Sequence, residues 1–272
     1  MKELVSVYIN GKKYEAEKGE MLINVARRNG IKIPSLCYEE FLEPYGSCRI
    51  CIVEVKEGAR PGITTSCSLA CVEGLKVETD TPEIIRHRKM LIELYLAQAP
   101  EAEKIKELAK EYGVKSTRFK KKYKKDDPLN NKCILCGLCV RVCNEVMGYG
   151  AINFINRGHK TKVNTPYFEP SNVCSGCKAC VEICPTDAIT VKEEGNKRIF
   201  VSWSNTTVEL EKCEECGKYF ASEKLVSRVL TKVYPNALHF DDTFKKLCQE
   251  CKRKYMLLHN ITELRRGLEN GR

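Results

Sequence analysis

Seventeen cysteines stand in this chain of 272 residues, and sixteen of them fall into four sets of four. Two sets share the spacing C-x2-C-x2-C-x3-C: Cys133, Cys136, Cys139 and Cys143, then Cys174, Cys177, Cys180 and Cys184, with Pro185 directly after the second. Three thiols at i, i+3 and i+6 wrap a cubane of iron and sulfide better than they wrap a single tetrahedral ion. A third set, Cys37, Cys48, Cys51 and Cys67, has a close middle pair and a distant fourth member, spaced C-x10-C-x2-C-x15-C. The fourth set is two C-x2-C pairs, Cys213 with Cys216 and Cys248 with Cys251, 31 residues apart. Thiolates in these patterns hold metals, and the chemistry they point to is one-electron transfer.

The doubled run closed by Cys-Pro is the signature of bacterial two-cluster ferredoxins, in which the last cysteine of each run crosses to the other cluster. The resemblance assigns Cys133, Cys136, Cys139 and Cys184 to one [4Fe-4S] cluster. It assigns Cys143, Cys174, Cys177 and Cys180 to the other. The third set differs from plant-type [2Fe-2S] ferredoxins, whose first gap is C-x4-C. Its context, IPSLCYEEFLEPYGSCRICIVEV followed by TSCSLACVEGLKVET, resembles the amino-terminal [2Fe-2S] domain of a known family. That family comprises the iron–sulfur subunits of NAD-reducing and electron-bifurcating hydrogenases, of related complexes and of respiratory complex I. The insert GYGAINFINRGHKTKV resembles the glycine-rich insert between the cluster motifs of those subunits. By this resemblance Cys37, Cys48, Cys51 and Cys67 ligate a [2Fe-2S] cluster, and Gly46 lies in the loop that encloses it. Cys71 falls where the family has a non-ligand residue and is expected to be a small buried thiol, with exchange for Cys67 as the rival.

Many relatives carry one more [4Fe-4S] cluster, held by one His and three Cys. Here Ala99 stands at the His position before Pro100, and no Cys occurs from residue 72 to 132. That cluster is expected to be absent. KCEECGKYF resembles a zinc knuckle, with Gly217 permitting the turn that aims backbone N–H groups at sulfur. Cys213, Cys216, Cys248 and Cys251 are therefore assigned to structural Zn2+, with a third [4Fe-4S] cluster as the rival.

The formal charge of +10 counts every cysteine as neutral. Four thiolates around an oxidised cluster or zinc leave each site at about −2, so four sites bring the loaded protein to about +2. The Lys/Arg excess is thus read as balance for the metal sites. The cationic run at residues 115–125 is read as a solvated linker, and no recognition motif accompanies it to support nucleic-acid binding. No apolar stretch approaches a membrane span, and thiol ligands need a reducing compartment. The expectation is a cytoplasmic protein with no membrane role.

The elements that must position these thiols read as α+β. Alternating residues 3–10 lead into Asn10-Gly11, a type I′ hairpin signal, with a second strand over 12–16. A helix over 21–29 stopped by Gly30, and strands at 52–56 and 75–78, complete a β-grasp [2Fe-2S] domain over residues 1–80. Thr81-Pro82-Glu83 opens a helix that runs to Pro100, and a second helix spans 101–112. Residues 81–126 form the helical linker with its basic run. The two-[4Fe-4S] ferredoxin domain takes 127–200 and opens at Asp127-Pro128, and the zinc-ribbon-like unit takes 201–272.

Neither G-x-G-x-x-G nor a P-loop is present. No further Cys motif of the kind that holds a hydrogenase's catalytic iron occurs either. The chain is expected to be a non-catalytic electron-relay subunit of a multimeric oxidoreductase. Its expected partners are a flavin/NAD(P)H-binding diaphorase subunit and a terminal catalytic subunit. The terminal reaction would be that of a hydrogenase, formate dehydrogenase, tungsten aldehyde oxidoreductase or transhydrogenase, with electron bifurcation and exchange with soluble ferredoxin as further expectations. A free-standing polyferredoxin carrier is the alternative.

Overall fold

Val5, Val7 and Ile9 point one way along strand β1 (Leu4–Ile9) and are buried, as period-two alternation requires. The chain turns back at Asn10 and Gly11, whose φ values of 53° and 75° are both positive, the condition for a type I′ turn. Strand β2 (Lys12–Glu17) follows antiparallel in register, with Ile9 opposite Lys12. Helix α1 (Leu22–Arg28) buries Leu22, Ile23, Val25 and Ala26 and is stopped at Gly30, φ 72°. These side chains share one apolar core with β1 and with the strands that come next.

The computed structural model describes residues 3–120, 128–233 and 246–257. Strands β3 (Ile52–Glu57), β4 (Gly62–Thr65) and β5 (Leu75–Glu78) complete a five-stranded sheet of order β2-β1-β5-β3-β4. Only the β1–β5 pair is parallel. Gly58, at φ 84°, lies where a Cβ would come within 2.5 Å of the Leu75 Cα, so the β3–β5 crossing needs glycine.

Thr81 caps helix α2 (Pro82–Gln98): its hydroxyl accepts from the Ile84 N–H at 3.4 Å, with Pro82 at the first helical position. Helix α3 (Glu103–Glu111) ends before Gly113, φ 69°. A second apolar core gathers Ile92, Ala99, Ala102, Ile105 and Leu108 from these helices with Leu36, Leu42 and Ile50 from the cysteine-bearing loops. Of the basic run, residues 121–125 lie outside the described residues, as does Asp127. Arg118 pairs with Glu93 at 2.9 Å.

Beyond it come α4 (Pro128–Lys132) and α5 (Leu138–Arg141), which continues into a π-helical turn, Val142–Val146. Strands β6 (Asn153–Ile155) and β7 (Lys162–Asn164) pair as a ribbon, and α6 (Ala179–Glu182) packs on α5. Strands β8 (Val191–Glu194), β9 (Lys197–Phe200) and β10 (Thr206–Glu209) form an antiparallel sheet over buried Phe200 and Val208. The third strand of this sheet, β10, comes after residue 200. Helix α7 (Glu223–Val233) follows, and residues 249–257 are helical.

The chain divides into two units that interleave in sequence. The first holds residues 1–148, 154–163 and 179–189, and the second holds 149–153, 164–178 and 190–272. Among the described residues, no helix is long and apolar enough to cross a membrane.

Candidate metal centres

Cys37 lies in the loop after α1, Cys48 and Cys51 lead into β3, and Cys67 sits on a 3-10 turn, Ser66–Ser68, after β4. All four are buried. The Cys48 N–H points at the Cys37 sulfur, 3.3 Å away. Positive φ at Gly46 (64°) and Arg49 (58°) bends the backbone on both sides of Cys48. The thiols pair by hydrogen bonds, and the pairing sets their acidity. A bond from the Cys48 thiol, with the Cys48 and Ser47 N–H groups, brings Cys37 down to about 7. A bond from the Cys67 thiol likewise brings Cys51 down to about 6. Cys48 and Cys67, the donors in those bonds and themselves buried, are held well above the usual thiol range. Amide N–H groups that stabilise thiolate in a dry pocket are what a cluster carrying net negative charge requires. The residues fit a [2Fe-2S] group.

Cys71 is buried in the first core, where desolvation pushes its thiol up to about 12. The charges it feels are those of Glu20 and Arg28, not those of the four thiols. It behaves as a packing residue.

The two ferredoxin-type runs repeat one another in backbone conformation. Leu135 and Gly137 have φ of 54° and 81°, and their counterparts Gly176 and Lys178 have 72° and 64°. Alternating left-handed residues turn successive N–H groups inward, which makes an anion-binding nest. In both runs the N–H two residues on faces the first sulfur, Leu135 to Cys133 at 3.4 Å and Gly176 to Cys174 at 3.5 Å. Cys136 and Cys139 are buried, and desolvation raises both thiols, Cys136 to about 12. The further charges that raise Cys136 are those of Cys133, Cys184 and Cys37. For Cys139 they include Cys180 and Cys184. Cys184 is thus brought among the thiols of the first run. Its sulfur accepts from the Ala188 N–H at 3.4 Å.

One apolar core takes in thiols of both the first run and the third set. Cys37, Cys48 and Cys136 lie in the same apolar core, and Tyr95 packs against it. The Tyr95 hydroxyl donates to the Cys48 carbonyl at 2.9 Å. Burial first, then the charges of Cys48, Cys37 and Cys136, push that phenol up. At the second run, buried Arg198 donates to the Gly176 carbonyl at 2.6 Å, and Ser222 donates to the Ser175 carbonyl at 2.6 Å.

The fourth set is compact. The sulfurs of Cys213, Cys216, Cys248 and Cys251 all lie within 4.8 Å of one another, and Cys216 and Cys248 are 3.7 Å apart. Zn–S bonds of about 2.3 Å at tetrahedral angles place sulfurs about 3.8 Å apart. A cubane, with four irons between its thiolates, holds them further out. Gly217, at φ 71°, closes the turn that lets its N–H bond the Cys213 carbonyl. Burial opposes ionisation of Cys213, but the N–H groups of Cys216, Cys248 and Glu215 bring it down to about 6. Leu247, Phe220 and Tyr255 supply the small core around the set. The donor set fits a mononuclear thiophilic ion.

Arg88 and Tyr95 escaped the sequence reading. The available signal was the stripe Ile84, Arg88, Ile92 on α2, in which a cation occupies a core position.

These sites define an iron–sulfur protein with a separate C-terminal group of four thiols. Residues 2–82 match the family described as a 2Fe-2S iron-sulfur cluster binding domain, and residues 173–218 match the 4Fe-4S dicluster domain. The second match takes in Cys174 to Cys184 and reaches Cys213 and Cys216, leaving the first run outside. The chain is related to the iron–sulfur subunits of NAD(P)-linked oxidoreductases. It is 33% identical over 209 residues to the NADPH-Fe(3+) oxidoreductase subunit alpha of Geobacter sulfurreducens, covering 70% of this chain and 24% of that one. It is 31% identical over 218 residues to the NADP-reducing hydrogenase subunit HndD of Solidesulfovibrio fructosivorans, covering 70% and 36%. A solved structure, an NAD+-reducing [NiFe]-hydrogenase in the H2-reduced state, aligns with TM-score 0.53 and 27% identity over 60% of this chain and 75% of that one. The chain spans about a quarter of the length of the first curated relatives it matches.

Proposed function

We propose that this chain is an electron-relay subunit of a multimeric NAD(P)H-linked oxidoreductase or hydrogenase. One end would face a flavin/NAD(P)H-binding subunit and the other a terminal catalytic subunit. The observation that carries this reading is that Cys37, Cys48 and Cys136, from two cysteine sets, share one buried core with Tyr95 packed against it. The names of the relatives, all subunits of NAD(P)-linked enzymes, support it.

Cys37, Cys48, Cys51 and Cys67, on a sheet we read as a β-grasp, would hold a [2Fe-2S] group. Cys133, Cys136, Cys139 and Cys184 would hold one [4Fe-4S] group, and Cys143, Cys174, Cys177 and Cys180 a second. Each group, when bound, accepts and releases one electron at a time with no change of ligand. The protein's part is to exclude water, aim amides at sulfur and fix the spacing of the three ligand sets. The C-terminal thiols would hold Zn2+, which is redox-silent and supports a unit with little apolar core of its own. Domain limits at 80, 126 and 200 stand as proposals in the same sense.

Anaerobic affinity purification of the chain from its native cell tests the assignment. The expected result is flavoprotein co-eluting at fixed stoichiometry, with about 10 Fe and 1 Zn per chain on the ligand counts. A chain that elutes alone without flavin, carrying its full iron, would overturn the subunit reading in favour of a free carrier.

A further inference from the structure

Arg88 has the most completely buried charged side chain among the described residues. It occupies the core-facing stripe of α2 between Ile84 and Ile92, where an aliphatic residue is the ordinary occupant. Its Nε donates to the Ile50 carbonyl at 3.2 Å, and one terminal nitrogen donates to the Ile52 carbonyl at 2.7 Å. Those two carbonyls bracket Cys51. The other terminal nitrogen reaches the Tyr112 hydroxyl at 3.2 Å and an Asp80 carboxylate oxygen at 3.0 Å.

Burying a cation is costly unless it is paired and hydrogen-bonded. Every nitrogen has an acceptor, but the pairing is lopsided, because the Asp80 side chain is 55% exposed while Arg88 has no exposure. Solvent therefore screens the carboxylate far more than the guanidinium. An uncharged donor would satisfy two carbonyls without that cost. What a neutral donor would not do is offset the charge of about −2 that four thiolates and an oxidised cluster place in this loop.

We infer that Arg88 is a positioning and electrostatic residue for the [2Fe-2S] site: its fork holds the carbonyls of the residues before and after Cys51, and its buried charge raises the reduction potential of the bound group. The inference rests on Cys37, Cys48, Cys51 and Cys67 being that group's ligands. Reduction adds negative charge, so a nearby cation favours the reduced form and a nearby anion disfavours it. For a unit charge about 10 Å away at an effective dielectric of about 20, the reduced-to-oxidised ratio changes on the order of tenfold. For one electron, tenfold corresponds to about 59 mV.

The test is an EPR-monitored potentiometric titration of the anaerobically purified full chain, with the [4Fe-4S] signals as internal controls. Arg88→Met should lower the [2Fe-2S] reduced-to-oxidised ratio at fixed potential on the order of tenfold. Asp80→Asn, which removes a half-solvated anion and leaves the buried fork in place, should move the ratio the opposite way by a smaller factor. Arg88→Lys keeps the charge, so its ratio should stay closer to wild type than that of Arg88→Met. The [4Fe-4S] potentials should hold still throughout. If Arg88→Met fails to fold, Asp80→Asn decides by itself. An unchanged ratio in Asp80→Asn, or a shift in the direction seen for Arg88→Met, overturns the inference. Absence of a [2Fe-2S] signal in the wild-type chain would instead refute the ligand assignment on which it rests.

Discussion

Replacing Ser222 by alanine should destabilise the second-run loop, although Ser222 lies 38 positions beyond Cys184. The hydroxyl works twice. It accepts from the Leu225 N–H at 3.2 Å, which makes Ser222 the N-cap of α7, and it donates to the buried Ser175 carbonyl at 2.6 Å. Loss of an N-cap costs about 1 kcal/mol. Leaving a buried carbonyl unpaired costs about 1–3 kcal/mol more. The sum is about 2–4 kcal/mol, concentrated on the loop that carries Cys174 and Cys177. If the bound group is lost through local opening of that loop, bleaching in the presence of an iron chelator should accelerate about 30-fold or more. Ser222→Thr keeps the hydroxyl and should bleach near the wild-type rate. Thr81→Ala provides a cap elsewhere whose bond is long at 3.4 Å, and should cost about 1 kcal/mol or less with no effect on bleaching. Bleaching of a well-expressed Ser222→Ala chain within about threefold of wild type would refute the coupling.

Other outcomes follow from single features of the fold. Cys216→Ser should remove zinc while leaving the iron content unchanged, read by plasma emission on the same sample; loss of iron instead would assign the fourth set to a cluster. Cys71, raised to about 12 from an unperturbed 9.0, favours the neutral thiol when folded. The stability it contributes is therefore intact below about pH 9 and falls as pH rises toward 12. Cys71→Ala should lose that alkaline slope in unfolding measurements from pH 8 upward, and equal slopes in the two proteins would contradict the burial argument. Gly58→Ala must adopt a positive φ and displace the Leu75 backbone, which should cost at least about 2 kcal/mol in thermal unfolding.

Local features were the legible ones. The Asn10-Gly11 turn and the Thr81-Pro82 helix start each rest on chemistry within a few residues, and each is found where the sequence put it. Strand β4 was not legible, since Gly62–Thr65 is too short to show alternation and acquires its pairing only from β3. Arg88 was hidden for a different reason. An arginine on a helix reads as solvated, and its burial depends on carbonyls 36 and 38 residues away. The same holds for Tyr95, whose partner at Cys48 lies 47 residues off. Long-range hydrogen bonds leave no mark in local pattern.

The interleaving of the two units bears on how the protein is made. Residues 37 to 78 complete the first sheet and its thiols in one uninterrupted stretch, so a ribosome has delivered everything needed for that portion early. The first unit as a whole stays unfinished until residue 189 has emerged, and by then residues 149–153 and 164–178 of the second unit have also been made. The amino-terminal sheet is therefore complete in sequence well before the rest of its unit. Neither half can be expressed as a cleanly separated fragment by cutting the gene once.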